Sequence, residues 1–187
     1  MAIEIEAKYK INLVTYNNII KYFEDEKISG RIEFQNDIYF SPRHFPFLGG
    51  EIDNECLRIR KLLDKNILSY KKFVPKTSDK EAYSIEHEVE IGDIEKFKLI
   101  LDDLRIDEVF TLNKKRIYYI YDNIEIALDY VTDLGYFVEL ELISDNDSTS
   151  FLEAKEKFVA LFEIDESMRN YSGYSYLLYD KYKKSVN

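Results

Sequence analysis

The chain has 187 residues, 45% of them hydrophobic and 33% charged, with 16 Tyr and 12 Phe. That is a globular composition, long enough for one domain with a packed core, and it excludes a disordered chain. The single cysteine, Cys56, excludes an internal disulfide and a cysteine-rich zinc site. The formal net charge of −10 is opposite to that of a protein that coats a nucleic-acid polymer, and no apolar run reaches membrane-spanning length. The first ten residues, MAIEIEAKYK, carry charge where a signal peptide needs its apolar region. The expectation is a cytoplasmic protein with one domain over residues 1–187.

The dominant pattern is alternation. Ile3, Ile5 and Ala7 alternate with Glu4, Glu6 and Lys8, which predicts a strand. A helix is predicted over Thr15–Glu26, with Thr15 as its N-cap and Ile19, Ile20 and Phe23 as its apolar stripe. Extended runs follow at Arg31–Phe40, Glu55–Leu63, Ile67–Val74, Ala82–Ile91, Val109–Tyr121, Ile124–Tyr130 and Tyr136–Ile143. Asp93 opens a second helix whose face carries Phe97, Ile100, Leu101 and Leu104, Ser148–Phe162 reads as a third, and Tyr171–Tyr182 as a fourth. Asp64-Lys65-Asn66 and Tyr121-Asp122-Asn123-Ile124 read as hairpin turns, which makes their flanking strands antiparallel. Ser41–Asn54 holds two of the three prolines and the Gly49-Gly50 pair and reads as a long mobile loop; Ser144–Ser150 reads as a polar connector.

The polar side of the alternation is sorted by sign. One strand carries Glu4, Glu6 and Lys8, another Arg58 and Arg60, another Lys71, and another Glu86, Glu88 and Glu90. Lys114, Arg116 and Tyr118 follow, then Glu125 and Asp129, then Glu139 and Glu141. Spacing of two sends each set to one face of its strand. Neighbouring rows of carboxylates repel unless positive charge lies between them. Divalent magnesium or manganese (Mg2+ or Mn2+), which favour oxygen ligands, would supply it, and the Arg and Lys rows suit an oligophosphate. The plain alternative is a set of ordinary strands with solvated outer faces and surface salt bridges.

Taken in order, these residues resemble the CYTH superfamily, the triphosphate tunnel metalloenzymes. Glu4-Ile5-Glu6-Ala7-Lys8 is similar to its ExExK signature, and Gln35-Asn36-Asp37-Ile38-Tyr39-Phe40 to its second-strand motif. Leu57-Arg58-Ile59-Arg60, Ser69-Tyr70-Lys71, Glu86-His87-Glu88-Val89-Glu90 and Lys114-Lys115-Arg116 resemble successive strands. Ala127–Val131, Leu134-Gly135 and Phe137–Glu141 resemble the closing pair, and Tyr174 with Leu177-Leu178 a tail motif. The resemblance implies an α+β fold with a closed eight-stranded antiparallel β tunnel and helices packed outside. It implies phosphate binding by Lys8, Arg58, Arg60, Lys71, Lys114 and Arg116. It implies metal binding by Glu4, Glu6, Glu139 and Glu141, with Asp129 joining them. Glu86 and Glu88, which could serve metal or water, are the catalytic candidates together with Lys114. Many relatives carry an Arg where this chain has Ser84, and Lys80 or Arg43 could replace that grip.

Within the superfamily the pattern is most similar to the class IV adenylate cyclase branch, from Gln35–Phe40, the loop with Phe45 and Glu51, and Glu88–Ile91 followed by Asp93. That implies conversion of ATP to cyclic AMP and pyrophosphate. Triphosphate hydrolysis, of thiamine triphosphate or inorganic tripolyphosphate, needs the same parts and stays open. So does a binding module for a nucleotide or polyphosphate, against which the intact carboxylate set argues. His44 and His87 read as structural, His87 pointing away from the charged face. Gly135 reads as a turn residue. The Tyr174–Tyr182 stripe reads as helix packing or, since homodimers are common in the cyclase branch, as a dimer contact.

Overall fold

The computed structural model describes residues 2–4, 6–47, 55–74, 83–122, 124–142 and 148–186. Ile5, Gly49-Gly50, Glu51, Lys80 and Ser144–Asp147 lie outside the described residues, and so does the side chain of Glu4. In chain order the elements are β1 (Ala2–Glu4), β2 (Glu6–Ile11), α1 (Leu13–Asp25), β3 (Arg31–Pro42), β4 (Glu55–Lys61), β5 (Asn66–Val74) and β6 (Tyr83–Ile91). Then come α2 (Ile94–Asp103), β7 (Ile106–Tyr121), β8 (Ile124–Val131), β9 (Gly135–Leu142), α3 (Ser148–Leu161), β10 (Arg169–Asn170) and α4 (Tyr174–Val186). The class is α+β, as expected. No helix among the described residues is long and apolar enough to cross a membrane.

The chain forms two compact units. The first contains residues 1–3, 34–113 and 172–187, and the second residues 4–33 and 114–171. In the first, β6, β5, β4 and β3 lie side by side in that order, with β1 outside β6 and the first half of β7 beyond β3. The β3–β4, β4–β5 and β5–β6 ladders are antiparallel. In the second, the other half of β7 is followed by β8, β9, β2 and β10. Here too the ladders that join β7 to β8, β8 to β9, β9 to β2 and β2 to β10 are antiparallel. Among the described residues neither unit is a closed barrel by itself.

Period two decides each sheet's faces. In the second unit Ile117, Tyr119, Ile124, Ile126, Leu128, Val138, Leu140, Ala7 and Tyr9 share one face and pack with Tyr16, Ile19 and Phe23 of α1 and with Phe151, Ala154 and Phe158 of α3. Phe23 stacks on Tyr119 with ring centroids 4.1 Å apart. In the first unit Ile38, Phe40 and Ile59 pack with Leu101 of α2, and Leu57, Leu68 and Phe97 surround them. Burial of these branched and aromatic groups is the main stabilising term in each unit.

Local differences from expectation have simple causes. The N-cap of α1 is Asn12, whose side chain accepts from the Thr15 N–H at 2.9 Å; Thr15 lies one turn inside the helix. Asp93 caps α2 as expected, accepting from the Lys96 N–H. Ile100 and Leu104 are exposed, because α2 turns only its Leu101–Phe97 edge to the sheet. Ser41 and Pro42 extend β3 into the segment read as a mobile loop, and the Phe47 N–H donates to Ser41 Oγ at 2.8 Å. Gly135, at φ +98°, does serve the β8–β9 turn. In α4, Tyr174 and Leu178 are buried, as packing residues should be, whereas Tyr182 is exposed.

Candidate functional site

The face opposite each apolar core is charged and largely shielded from water. In the first unit Ile59 enters the core, so Arg58 and Arg60 point the other way. Register puts Asp37 opposite Arg60, Ser69 opposite Arg58, and Glu86 opposite Lys71. Arg60 grips Asp37 with a two-pronged contact, Nε to Oδ1 at 2.7 Å and Nη2 to Oδ2 at 2.9 Å. Arg58 reaches Glu86 at 3.4 Å and Asp37 at 3.8 Å. Ser69 donates to Glu86 Oε1 at 2.7 Å, and Lys71 Nζ stands 3.9 Å from Glu86 Oε2. Arg58 Nε is buried with no hydrogen-bond partner among the described residues.

In the second unit the charged face joins four strands. Asp129 stands opposite Arg116, Glu139 opposite Lys8, and Glu141 opposite Glu6. Arg116 forks onto Asp129 at 2.7 and 2.6 Å and also donates to Glu139. Lys8 Nζ lies 3.0 Å from Glu139, Lys114 Nζ 3.8 Å from Asp129, and Arg116 Nη1 3.9 Å from Glu141. Burial by itself would push the Glu139 carboxyl up, but Arg116, Lys8 and Lys114 overcome it and hold it well below the usual carboxylate range. Burial would likewise lower Arg116, yet Asp129 and Glu139 keep it firmly charged. Arg58 follows the same logic with Asp37 as its main support.

Arg58, Arg60, Lys71 and Glu86 therefore share the face of the first unit, and Glu6, Lys8, Lys114, Arg116, Asp129, Glu139 and Glu141 that of the second. Glu88 shares its strand face with Glu86 but is exposed. His87 is on the opposite face, opposite Tyr70, as expected. Arg43 is bound to Asp107 and Asp102 beside α2, at 2.6–2.9 Å. Ser84 is buried on the charged face, opposite Phe73. Sequence reasoning missed Asp37 and Ser69 as site members. Both lie inside the quoted motifs and keep the period-two parity of the charged face, which is the signal that could have found them.

No three His, Cys, Asp or Glu side chains among the described residues converge as a ready metal cage. The register nevertheless aligns Glu6, Glu141 and Glu125 across β2, β9 and β8. Directly opposed residues on one face have Cβ atoms about 4.5–5.5 Å apart. An all-carboxylate row at that spacing suits a hard divalent cation.

The family model of the CYTH domain matches residues 2–169. The chain belongs to the CYTH domain family. A protein of Methanocaldococcus jannaschii named "Putative adenylate cyclase MJ0240" is 35% identical over 169 residues, 88% of this chain and 91% of that protein. Among solved structures, the PH1819 protein of Pyrococcus horikoshii matches at 28% identity with TM-score 0.72, over 95% of this CYTH chain and 99% of that one. A conserved hypothetical protein of Pyrococcus furiosus matches at 29% identity with TM-score 0.67, over 91% and 97%.

Proposed function

We propose that this CYTH protein is a metal-dependent enzyme acting on a triphosphate, an adenylate cyclase of the class IV type, with residues 1–187 as one domain closed into an eight-stranded tunnel. The observation that carries the reading is the withdrawal of six cations from water. Lys8, Arg58, Arg60, Lys71, Lys114 and Arg116 have side-chain exposures of 2–16% on sheet faces that could have been apolar. Buried cations are costly, and replacing such pairs by apolar residues is often stabilising. A polyanionic ligand gives them a use. The name of the relative from M. jannaschii supports the cyclase form.

Charge balance favours a metal as well. In the second unit Lys8, Lys114 and Arg116 are matched by Asp129, Glu139 and Glu141, so that face has no surplus positive charge for a triphosphate. In the first unit Arg58, Arg60 and Lys71 share their face with Asp37, Glu86 and the exposed Glu88. The phosphate grip would rest on Arg58, Arg60 and Lys71 and on Arg116, Lys114 and Lys8. Glu6, Glu139 and Glu141, with Glu4 and Asp129, would hold magnesium or manganese. When bound, that cation lowers the pKa of a coordinated hydroxyl and offsets charge on phosphate oxygens.

In the reaction the ATP 3′-hydroxyl attacks the α-phosphorus. The new O3′–P bond forms as the bond to the β-phosphate oxygen breaks, and pyrophosphate leaves. Glu86, which Ser69 and Arg58 hold, would take the hydroxyl proton, and Glu88 would pass it to water. Arg58, Arg60 and Lys114 would stabilise charge on the leaving pyrophosphate.

The test is incubation with ATP, thiamine triphosphate and tripolyphosphate separately, with magnesium or manganese, and chromatographic separation of the products. Cyclic AMP with equimolar pyrophosphate is the expected result. Orthophosphate without cyclic AMP would replace the cyclase by a triphosphatase. Tight binding without turnover would replace the enzyme by a binding module.

A further inference from the structure

Strand β7 carries one more residue on the charged face of the second unit. Tyr118 sits two positions after Arg116, about 7 Å farther along the strand. Exposure rises in that direction: Lys114 and Arg116 are buried, Tyr118 is half-buried, and Ile120 is 52% exposed. The Arg31 guanidinium of β3 lies over the Tyr118 ring, 3.9 Å from its centroid. Glu33 ties the two together. Its Oε2 accepts from Arg31 at 2.8 Å and its Oε1 from the Tyr118 hydroxyl at 3.3 Å. The Arg116 guanidinium is 5.6 Å from the same ring.

The Arg31 side chain remains 62% exposed. An ion pair so open to water stabilises a fold little, and ordering a long side chain costs rotamer entropy. What the arrangement does create is a flat cationic surface, backed by an aromatic ring and fixed by one carboxylate, with a side left to solvent. Guanidinium planes and aromatic rings are the surfaces on which nucleobases stack.

We propose that Arg31 and Tyr118 are the nucleobase platform of this protein. With the phosphates held by Arg116 and Lys114, the purine of a nucleoside triphosphate stacks on the Arg31–Tyr118 pair at the exposed end of the same face. This rests on the triphosphate reading and deepens it, by assigning the residues that would hold the nucleobase. Stacking reads a π-face, not a pattern of donors and acceptors, so GTP binds about as tightly as ATP.

Calorimetric titration of ATP, GTP and tripolyphosphate into wild-type protein, Arg31→Lys and Tyr118→Leu, with magnesium at fixed ionic strength, tests the platform. Arg31→Lys keeps the charge and loses the plane, and it alters an exposed position that the fold tolerates. Affinity for ATP and for GTP should fall roughly five- to a hundredfold in each variant, with tripolyphosphate bound as in the wild type. Equal weakening of ATP and tripolyphosphate in Arg31→Lys, or no weakening of ATP, overturns the platform and leaves the triphosphate reading standing. A wild-type protein that binds none of the three ligands overturns both.

Discussion

Arg60 and Asp37 face each other across the β3–β4 ladder, joined by two parallel contacts of 2.7 and 2.9 Å, and Asp37 has no exposure to water. The second unit repeats the device on different strands, with Arg116 forked onto an equally buried Asp129. In both, the carboxylate fixes the guanidinium plane on the face where a phosphate would be held.

Asp37→Ala should destabilise the protein by about 3–5 kcal/mol, because it leaves a buried guanidinium without its main counter-charge. Urea unfolding measures this. Saturating tripolyphosphate should recover part of the loss, since a ligand that binds only the folded state stabilises it by mass action. A midpoint unchanged from wild type would show that the fork carries no structural weight.

Arg60→Lys keeps the charge but loses the fork. The ratio kcat/KM should fall by about ten- to a hundredfold, corresponding to about 1.5–3 kcal/mol for a lost charge-assisted contact. The melt without ligand should change much less than the ligand-induced shift does. Normal kinetics in both Arg60→Lys and Arg60→Ala would remove the LRIR strand from the site.

Glu4→Gln and Glu139→Gln test the metal set. Each should abolish metal-dependent turnover, while far-ultraviolet circular dichroism stays that of the folded protein. Titration of activity against magnesium and manganese gives the readout. Retention of the wild-type rate and metal dependence by Glu4→Gln would take Glu4 out of the set.

Tyr16 gives an alkaline signature. Burial, reinforced by Asp129, pushes its hydroxyl up to about 12 from an ordinary value of 10. A raised pKa means that the stability linked to this group is fully present below pH about 10 and is lost as pH rises towards 12. Relative to Tyr16→Phe, the wild type should therefore lose about 1.4 kcal/mol between pH 9 and 11. Parallel urea midpoints for the two proteins across that range would remove Tyr16 from the alkaline limb.

How much the sequence disclosed is clearest on particular residues. Period two made Arg58 and Arg60, Glu139 and Glu141, and Lys114 and Arg116 share faces, because successive side chains on a strand must point oppositely. The same rule sent His87 away from Glu86. Asp93 and Gly135 were legible as cap and turn because their roles need only neighbouring backbone. Asp37 was passed over although Glu33 and Gln35 share its parity on β3, because its importance comes from Arg60 opposite, which only the register reveals.

By itself, then, the sequence determined which residues lie on a strand's charged side, and the ordered motifs determined the family. Tertiary structure decided the partners. It set Lys8 against Glu139, turned Arg43 to Asp107, left Glu88, Ile100 and Leu104 in water, and brought Arg31 over Tyr118 from 87 positions away in the chain. The reason is physical. A strand's two faces follow from local stereochemistry, whereas the residue standing opposite depends on register and on which strands become neighbours, and both are fixed only when the long-range ladders and the helix packing form.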